Sequence, residues 1–442
     1  MALETGADMI DLADPPPFFA LRNVRAPACL VPDLDAPADP EGLLRLDIAI
    51  AHGAIGAVAP AGALDAAVPG PDLGGALVLP GLVDIHTHLD KGFIWPRAQN
   101  PDGRFESAIA AVSADRDVHW DADDLARRMT FGLRCAYAHG TVALRTHLDS
   151  IGPKTAIAWE VFAELRNTWA DRIALQAVSL TPIDMVANEA AFAPALEAVR
   201  THGGVLGATC RLPKNLDAGL ARLFDAADRF GADLDFHVDE THDTDARALR
   251  RIAEVADERR FEGRILVGHC CALANQTADE IDRTLDIMAR SRIGVVSLPM
   301  CNLYLQDRVA GRTPRWRGIT LLHEMRARGI PVMVASDNAR DPFYAYGDLD
   351  LVEVYRESSR IAHLDHPFGD WPRIVCEAPA RHMGLRSLAA IRMAGPADLL
   401  LFKARSLNEL MARPLAGRIV LRAGRAIDAA VPDYAELDDL WP

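Results

Sequence analysis

The sequence predicts a parallel α/β barrel of eight strands, with a smaller β domain assembled from the two ends of the chain. Three observations lead there. Eight short apolar runs, at 82–86, 141–146, 173–180, 205–210, 232–237, 265–269, 293–298 and 331–336, alternate with helix-period stretches such as 156–166, 218–230, 279–290 and 321–328. Strands alternating with helices form parallel sheets, and eight is the number that closes a barrel of the TIM type. The first run lacks the glycine-rich turn of an open, dinucleotide-binding sheet. Polar residues able to do chemistry gather at the C-terminal ends of the runs, where such barrels keep their active sites.

In chain order, residues 1–75 are rich in Ala, Pro, Asp and Gly and carry strand-like pieces at 44–51 and 54–59. The Pro- and Asp-rich stretch 31–42 reads as a surface loop. Residues 77–85 read as one buried strand, interrupted by Pro80-Gly81. After the barrel, 398–402 and 418–421 read as strands, with Gly424 in a turn. The expected division is a composite β domain from 1–75 and 392–442 around a catalytic barrel at 76–391.

The 442 residues are enough for a large barrel and an accessory domain. Half are hydrophobic and a quarter charged, which is ordinary for a soluble enzyme. A net charge of −15 and the lack of a basic stretch argue against a nucleic-acid partner. The seven cysteines are scattered, odd in number and without a CxxC spacing, which points to a reducing compartment. The start Met1-Ala2-Leu3-Glu4 shows no cleavable signal pattern. No apolar run approaches the ~20 residues of a membrane span. The expectation is a cytoplasmic protein that binds no membrane.

The first run ends in His86-Thr87-His88. Residues i and i+2 of a strand point to one side, so both imidazoles can reach one metal ion. The third run contains Gln176, and the fifth ends in Asp235-Phe236-His237-Val238-Asp239-Glu240. The sixth ends in Gly268-His269 and the eighth in Ser336-Asp337. Taken alone, His237 is a core histidine, Glu240 a helix-start acid and Asp337 an N-cap. Together, three histidines and a carboxylate suit a divalent transition metal, leaving a further histidine and a glutamate for proton transfer. His147 is expected to support the metal site from behind its ligands or to be structural, and Cys270 and Cys271 to pack rather than bind metal.

In this order, His86-Thr87-His88, His237, His269 and Asp337 resemble the amidohydrolase superfamily over about 79–341. Narrower motifs are similar to its cytosine deaminase-like branch, which includes deaminases of cytosine, 5-methylcytosine and isoguanine. They are Arg145-Thr146-His147-Leu148-Asp149, Leu175-Gln176, His237-Val238-Asp239-Glu240, Asn302-Leu303-Tyr304-Leu305-Gln306, Arg317-Gly318-Ile319-Thr320 and Ser336-Asp337-Asn338 with Asp341-Pro342. The resemblance implies a distorted TIM (β/α)8 barrel with a small β-sandwich domain from both termini. It implies one divalent metal ion, Zn or Fe(II), held by His86, His88, His237 and Asp337. His269 would polarise the hydrolytic water, Glu240 would shuttle protons to the ring, and Gln176 would read the ring's oxo and imino edge. Binuclear relatives use a modified lysine at the end of strand four. Lys214 lies beyond that end and is expected in a loop, which leaves a mononuclear site. Relatives assemble, so a homo-oligomer is compatible with the resemblance.

The expected activity is metal-dependent hydrolytic deamination of a small heterocyclic base, cytosine or a 5-substituted cytosine. Asn338 stands where an acid commonly follows the metal aspartate, and Phe343 where tryptophan is common. Both leave more room or less charge near the ring's C5–C6 edge, which favours 5-methylcytosine. Chemically, a metal brings the pKa of bound water from ~16 to roughly 7. Asp337 can then accept the water's proton, and Glu240 can protonate the ring nitrogen. Competing readings are a deaminase of isoguanine, a triazine or a creatinine-like lactam, a cyclic-amide hydrolase, and a binding protein without activity.

Overall fold

The computed structural model describes residues 10–414 and 417–441. Eight parallel strands follow one another in sequence order: Leu82–Thr87, Thr141–Asp149, Ala174–Pro182, Val205–Cys210, Leu234–Val238, Ile265–His269, Ile293–Ser297 and Val332–Val334. A parallel bridge from Thr87 to Asp337, with the Asp337 amide donating to the His86 carbonyl at 2.9 Å, brings the last strand back to the first. The result is a nearly closed TIM-type barrel. The strands are buried along almost their whole length, which is why they read as continuous apolar runs rather than alternating ones.

Helices return the chain between strands, among them Ala122–His139, Lys154–Thr168, Leu216–Phe230, Ala248–Arg259 and Ala278–Arg290. Leu216–Phe230 shows the rule that forms them. Leu220, Leu223, Phe224 and Ala227 are its buried stripe, at spacings of three and four residues. Gly231, at φ 61°, then ends the helix in the left-handed conformation glycine adopts freely.

A second sheet has seven strands in the order Arg425–Ala426, Arg418–Arg422, Leu399–Phe402, Leu77–Pro80, Phe18–Pro27, Leu43–Ala51, Ala54–Pro60. It draws on both ends of the chain and is antiparallel except where Phe18–Pro27 meets Leu77–Pro80. Phe19, Leu21, Leu46, Ile48, Ile50, Val78, Leu399, Leu401 and Leu421 form its core.

Two features differ from the sequence reading. The single strand expected at 77–85 is two strands in two sheets. Gly81 is the joint, because a Cβ there would fall 2.2 Å from Val142 Cγ1, and no larger residue fits. Phe18–Pro27 has no counterpart in the sequence reading. A register shift between Leu21 and Val24, with Asn23 at φ 52°, breaks the alternation that marks a strand.

The chain divides into two compact units, one from 1–83, 136–143 and 351–431 and one from 84–135, 144–350 and 432–442. Residues 351–391, assigned to the barrel by sequence, fall in the first unit, and Ile391 packs into its sheet core. Among the described residues, no helix is long and apolar enough to cross a membrane.

Candidate active site

The first, fifth and eighth strands end in side chains that converge on one point. His237 Nε2 lies 3.1 Å from His86 Nε2 and 3.1 Å from His88 Nε2. Asp337 Oδ1 lies 3.5 Å from His86 Nε2 and 3.3 Å from His88 Nε2. His86, His88 and Asp337 are buried, and His237 is half-buried. Gly268 on strand six makes room for them, since a Cβ there would approach His86 Cε1 to 3.0 Å. Asp337 sits at φ 63° and His269 at φ 66°, strained backbone of the kind that persists at functional sites.

These contacts make poor sense as hydrogen bonds alone. Burial holds the His88 and His237 imidazoles well below their usual range, so they carry lone pairs. Both Asp337 oxygens lack a hydrogen-bond partner. Lone pairs of these two rings and a carboxylate face one another, and a shared cation relieves that. Tetrahedral ligands ~2.0–2.1 Å from a metal stand about 3.3 Å apart, which matches the 3.1–3.5 Å spacings here. The residues present therefore fit one divalent ion.

Ligand-type atoms also cluster in two overlapping sets, His86, His88, His147 and His237, and His86, His237, His269 and Asp337. His147 is satisfied elsewhere: its Nε2 lies 3.1 Å from Asp235 Oδ1 and its Nδ1 3.3 Å from the Thr87 carbonyl. Lys214 lies exposed in a loop, where its amide donates to Asp184.

Glu240 and His269 face this cluster together. Burial, reinforced by the charge of Asp337, pushes the Glu240 carboxyl well above the usual carboxylate range. Burial pushes the His269 imidazole down to about 3. Asn302, wholly buried in the short helix Pro299–Leu305, joins the two. Its amide nitrogen donates to Glu240 Oε1 at 3.1 Å and to His269 Nδ1 at 2.9 Å. With Nδ1 an acceptor, the ring proton sits on Nε2, an atom that is buried without a partner. His269 can thus donate a hydrogen bond toward the metal cluster.

A cavity of about 370 Å³ opens above these groups. His88, His237, Glu240, His269 and Asp337 form its floor, while Phe105, Ile109, Val112, Leu180, Leu212 and Phe343 supply apolar wall. Asn338 and Phe343, the two positions the sequence reading proposes for substrate contact, both line it. Asn338 turns its amide nitrogen to Asp341 Oδ2 at 2.6 Å, and the Phe343 ring packs edge-on against Phe105.

A family model described as "Amidohydrolase family" matches residues 205–427. The chain is 49% identical over 420 residues to a pterin deaminase of Rhizobium rhizogenes (strain K84), covering 95% of this chain and 96% of that protein. The chain belongs to the amidohydrolase family. It is also 24% identical to N-isopropylammelide isopropyl amidohydrolase of Pseudomonas sp. (strain ADP), over 80% of this chain and 87% of the relative. The fold is shared with 5-methylcytosine deaminase from Klebsiella pneumoniae, at a TM-score of 0.81 and 23% identity over 92% of this chain and 97% of that one. The family and its deaminase branch therefore stand as the motifs suggested.

One expected ring-binding residue of this amidohydrolase is placed elsewhere. Gln176 is the third residue of Ala174–Pro182, near the strand's beginning, and does not line the cavity. Its amide oxygen accepts from Arg145 Nε at 3.2 Å and NH2 at 2.9 Å, while Arg145 NH1 donates to Asp235 Oδ2 at 2.9 Å. Asp235 in turn holds His147, so Gln176 braces a charged layer away from the cavity. At the far end of the same strand, Leu180 and Pro182 face the cavity. The sequence reading took the polar residue of the run without locating it along the strand. Gln176→Ala is expected to leave KM unchanged and to cost about 1–2 kcal/mol of stability, measured by steady-state kinetics and urea unfolding.

Asn302 is the residue sequence reasoning missed. It stood in a matched motif, but nothing local marks an asparagine as the partner of a glutamate 62 residues away. Asn302→Asp replaces a double donor by an acceptor, which draws the His269 proton to Nδ1 and removes the amide donor from Glu240 Oε1. The expected result is a fall in kcat of about 10²-fold, with metal content retained, read by single-turnover kinetics and elemental analysis.

Proposed function

We propose that this amidohydrolase hydrolytically deaminates a pterin-like 2-amino-4-oxo heterocycle, releasing ammonia. The observation that carries deamination is the pairing of Glu240 and His269, fixed by Asn302, beside a cluster of three imidazoles and a carboxylate suited to zinc or Fe(II). A cyclic amidine needs both an activated water and a proton on the ring nitrogen, and this set can supply both. The bicyclic ring is supported by the pterin deaminase relative at 49% identity. A cavity of about 370 Å³ with Phe105 and Phe343 in its wall suits a flat aromatic substrate.

A divalent cation bound at the cluster lowers the pKa of water toward neutrality. Asp337 accepts one proton from the attacking water, and His269 Nε2–H donates a hydrogen bond to its oxygen. Glu240, whose protonated form burial favours, gives its proton to the ring nitrogen beside the amine-bearing carbon. The carbon becomes tetrahedral. Its new hydroxyl then returns a proton to Glu240 as the carbonyl forms, and Asp337 protonates the amine, which leaves as ammonia.

Free cytosine or 5-methylcytosine is the second reading, favoured by Asn338 and Phe343 in the cavity wall. Ammonia release from pterin, cytosine, 5-methylcytosine, isoguanine and a 2-aminotriazine by metal-loaded protein tests both. Pterin is expected to exceed the single rings by about tenfold or more in kcat/KM. Cytosine exceeding pterin favours the second reading, and ring opening without ammonia refutes deamination.

A further inference from the structure

With Gln176 outside the cavity, the groups that read the substrate ring must be sought among the lining residues. Asn338 is committed to Asp341 and to Cys301 Sγ. Arg211 is committed to the Glu240 carbonyl and to Glu106. Lys91 and Asp149 are different. Both line the cavity beside His88, from the loop after strand one and the last residue of strand two. Lys91 Nζ meets Asp149 Oδ1 at 2.6 Å, with side chains 5% and 9% exposed. Arg116 NH1 donates to Asp149 Oδ2 at 3.2 Å, and the Asp149 amide donates to Asp90 Oδ2 at 2.7 Å. Lys91 Nζ also lies 5.5 Å from the centre of the Phe343 ring.

A buried ion pair is weak evidence for stability, because desolvation offsets its attraction. Facing a cavity, it offers an ammonium with three N–H donors, one of them used by Asp149, next to a carboxylate with lone pairs to spare. Donor and acceptor 2.6 Å apart are close to the spacing of a lactam's oxygen and nitrogen, about 2.2 Å from the C=O and C–N bond lengths.

We propose that the Lys91–Asp149 pair reads the lactam edge of the substrate, Lys91 donating to the ring carbonyl oxygen and Asp149 accepting from the adjacent ring N–H. This rests on the deaminase reading of the site and narrows it to rings carrying an oxo group and N–H beside the reacting amidine. Aminated rings without the oxo group leave the ion pair desolvated and unmatched, and are rejected.

The test is equilibrium binding to the zinc-loaded full chain carrying Glu240→Gln, so that bound rings persist. Fluorescence titrations compare pterin with 2-aminopteridine, which lacks the oxo group. Pterin is expected to bind about 100-fold more tightly or better. Adding Lys91→Met or Asp149→Asn is expected to bring the two affinities within about fivefold. Equal binding of the two rings without these further substitutions overturns the proposal, and needs no altered Lys91 or Asp149 that folds. Full discrimination surviving both substitutions overturns it as well. Failure of the deaminase reading shows separately, as no ammonia from any ring with unsubstituted protein, and leaves the binding ratio intact.

Discussion

Replacing Glu240 with glutamine is expected to lower kcat by about 10²–10⁴-fold while the protein keeps its metal and its fold. Glutamine keeps the size of the side chain and a partner for Asn302, but it cannot give and recover a proton. The Glu240 backbone is pinned by Arg211 Nε on its carbonyl at 3.0 Å, so the exchange should not move the loop. KM should change little, because the proton matters to the tetrahedral carbon more than to the bound ring. Pre-steady-state ammonia release with elemental analysis decides it. Near-normal turnover in Glu240→Gln would remove the acid–base assignment.

Stripping the divalent ion is expected to abolish turnover and lower the melting temperature, with zinc or Fe(II) restoring both. The apo chain must keep His86, His88, His237 and Asp337 facing one another with ligand atoms 3.1–3.5 Å apart. A ligand present at 1,000 times its Kd stabilises the folded state by about 4 kcal/mol, so the thermal shift is a readout independent of activity. Asp337→Ala should reproduce the loss without chelation, by removing the anionic ligand. Metal content and melting temperature that both survive Asp337→Ala would sink the four-residue site.

The parts of the site that were legible in the sequence share a physical cause. His86, His88, His237, His269 and Asp337 each sit at or just beyond the end of an apolar run, and a parallel barrel carries all such ends to one rim. The two-residue spacing of His86 and His88 adds a local reason to share a metal. Flank strands were legible where hydrophobic alternation was clean, as in Leu43–Ala51, and hidden where the Asn23 bulge interrupts it. The join at Gly81 was hidden because composition does not record which of two sheets a strand enters.

Substrate-facing groups were less legible. Gln176 was the polar residue in its run, yet depth along the strand assigns it to the Arg145–Asp235–His147 layer. Lys91 and Asp149 are 58 residues apart, and neither carries a motif that would pair them. Asn302 acts through two partners, Glu240 in the loop after strand five and His269 at the end of strand six.

The sequence by itself determined the barrel, the family and the candidate ligand residues at the strand ends, because period, strand-end position and residue type are properties of short segments. The tertiary structure alone decided which tautomer His269 presents, which polar groups reach the cavity and where Gln176 points. Those depend on hydrogen bonds between residues distant along the chain, whose distances and burial exist only once the barrel has closed.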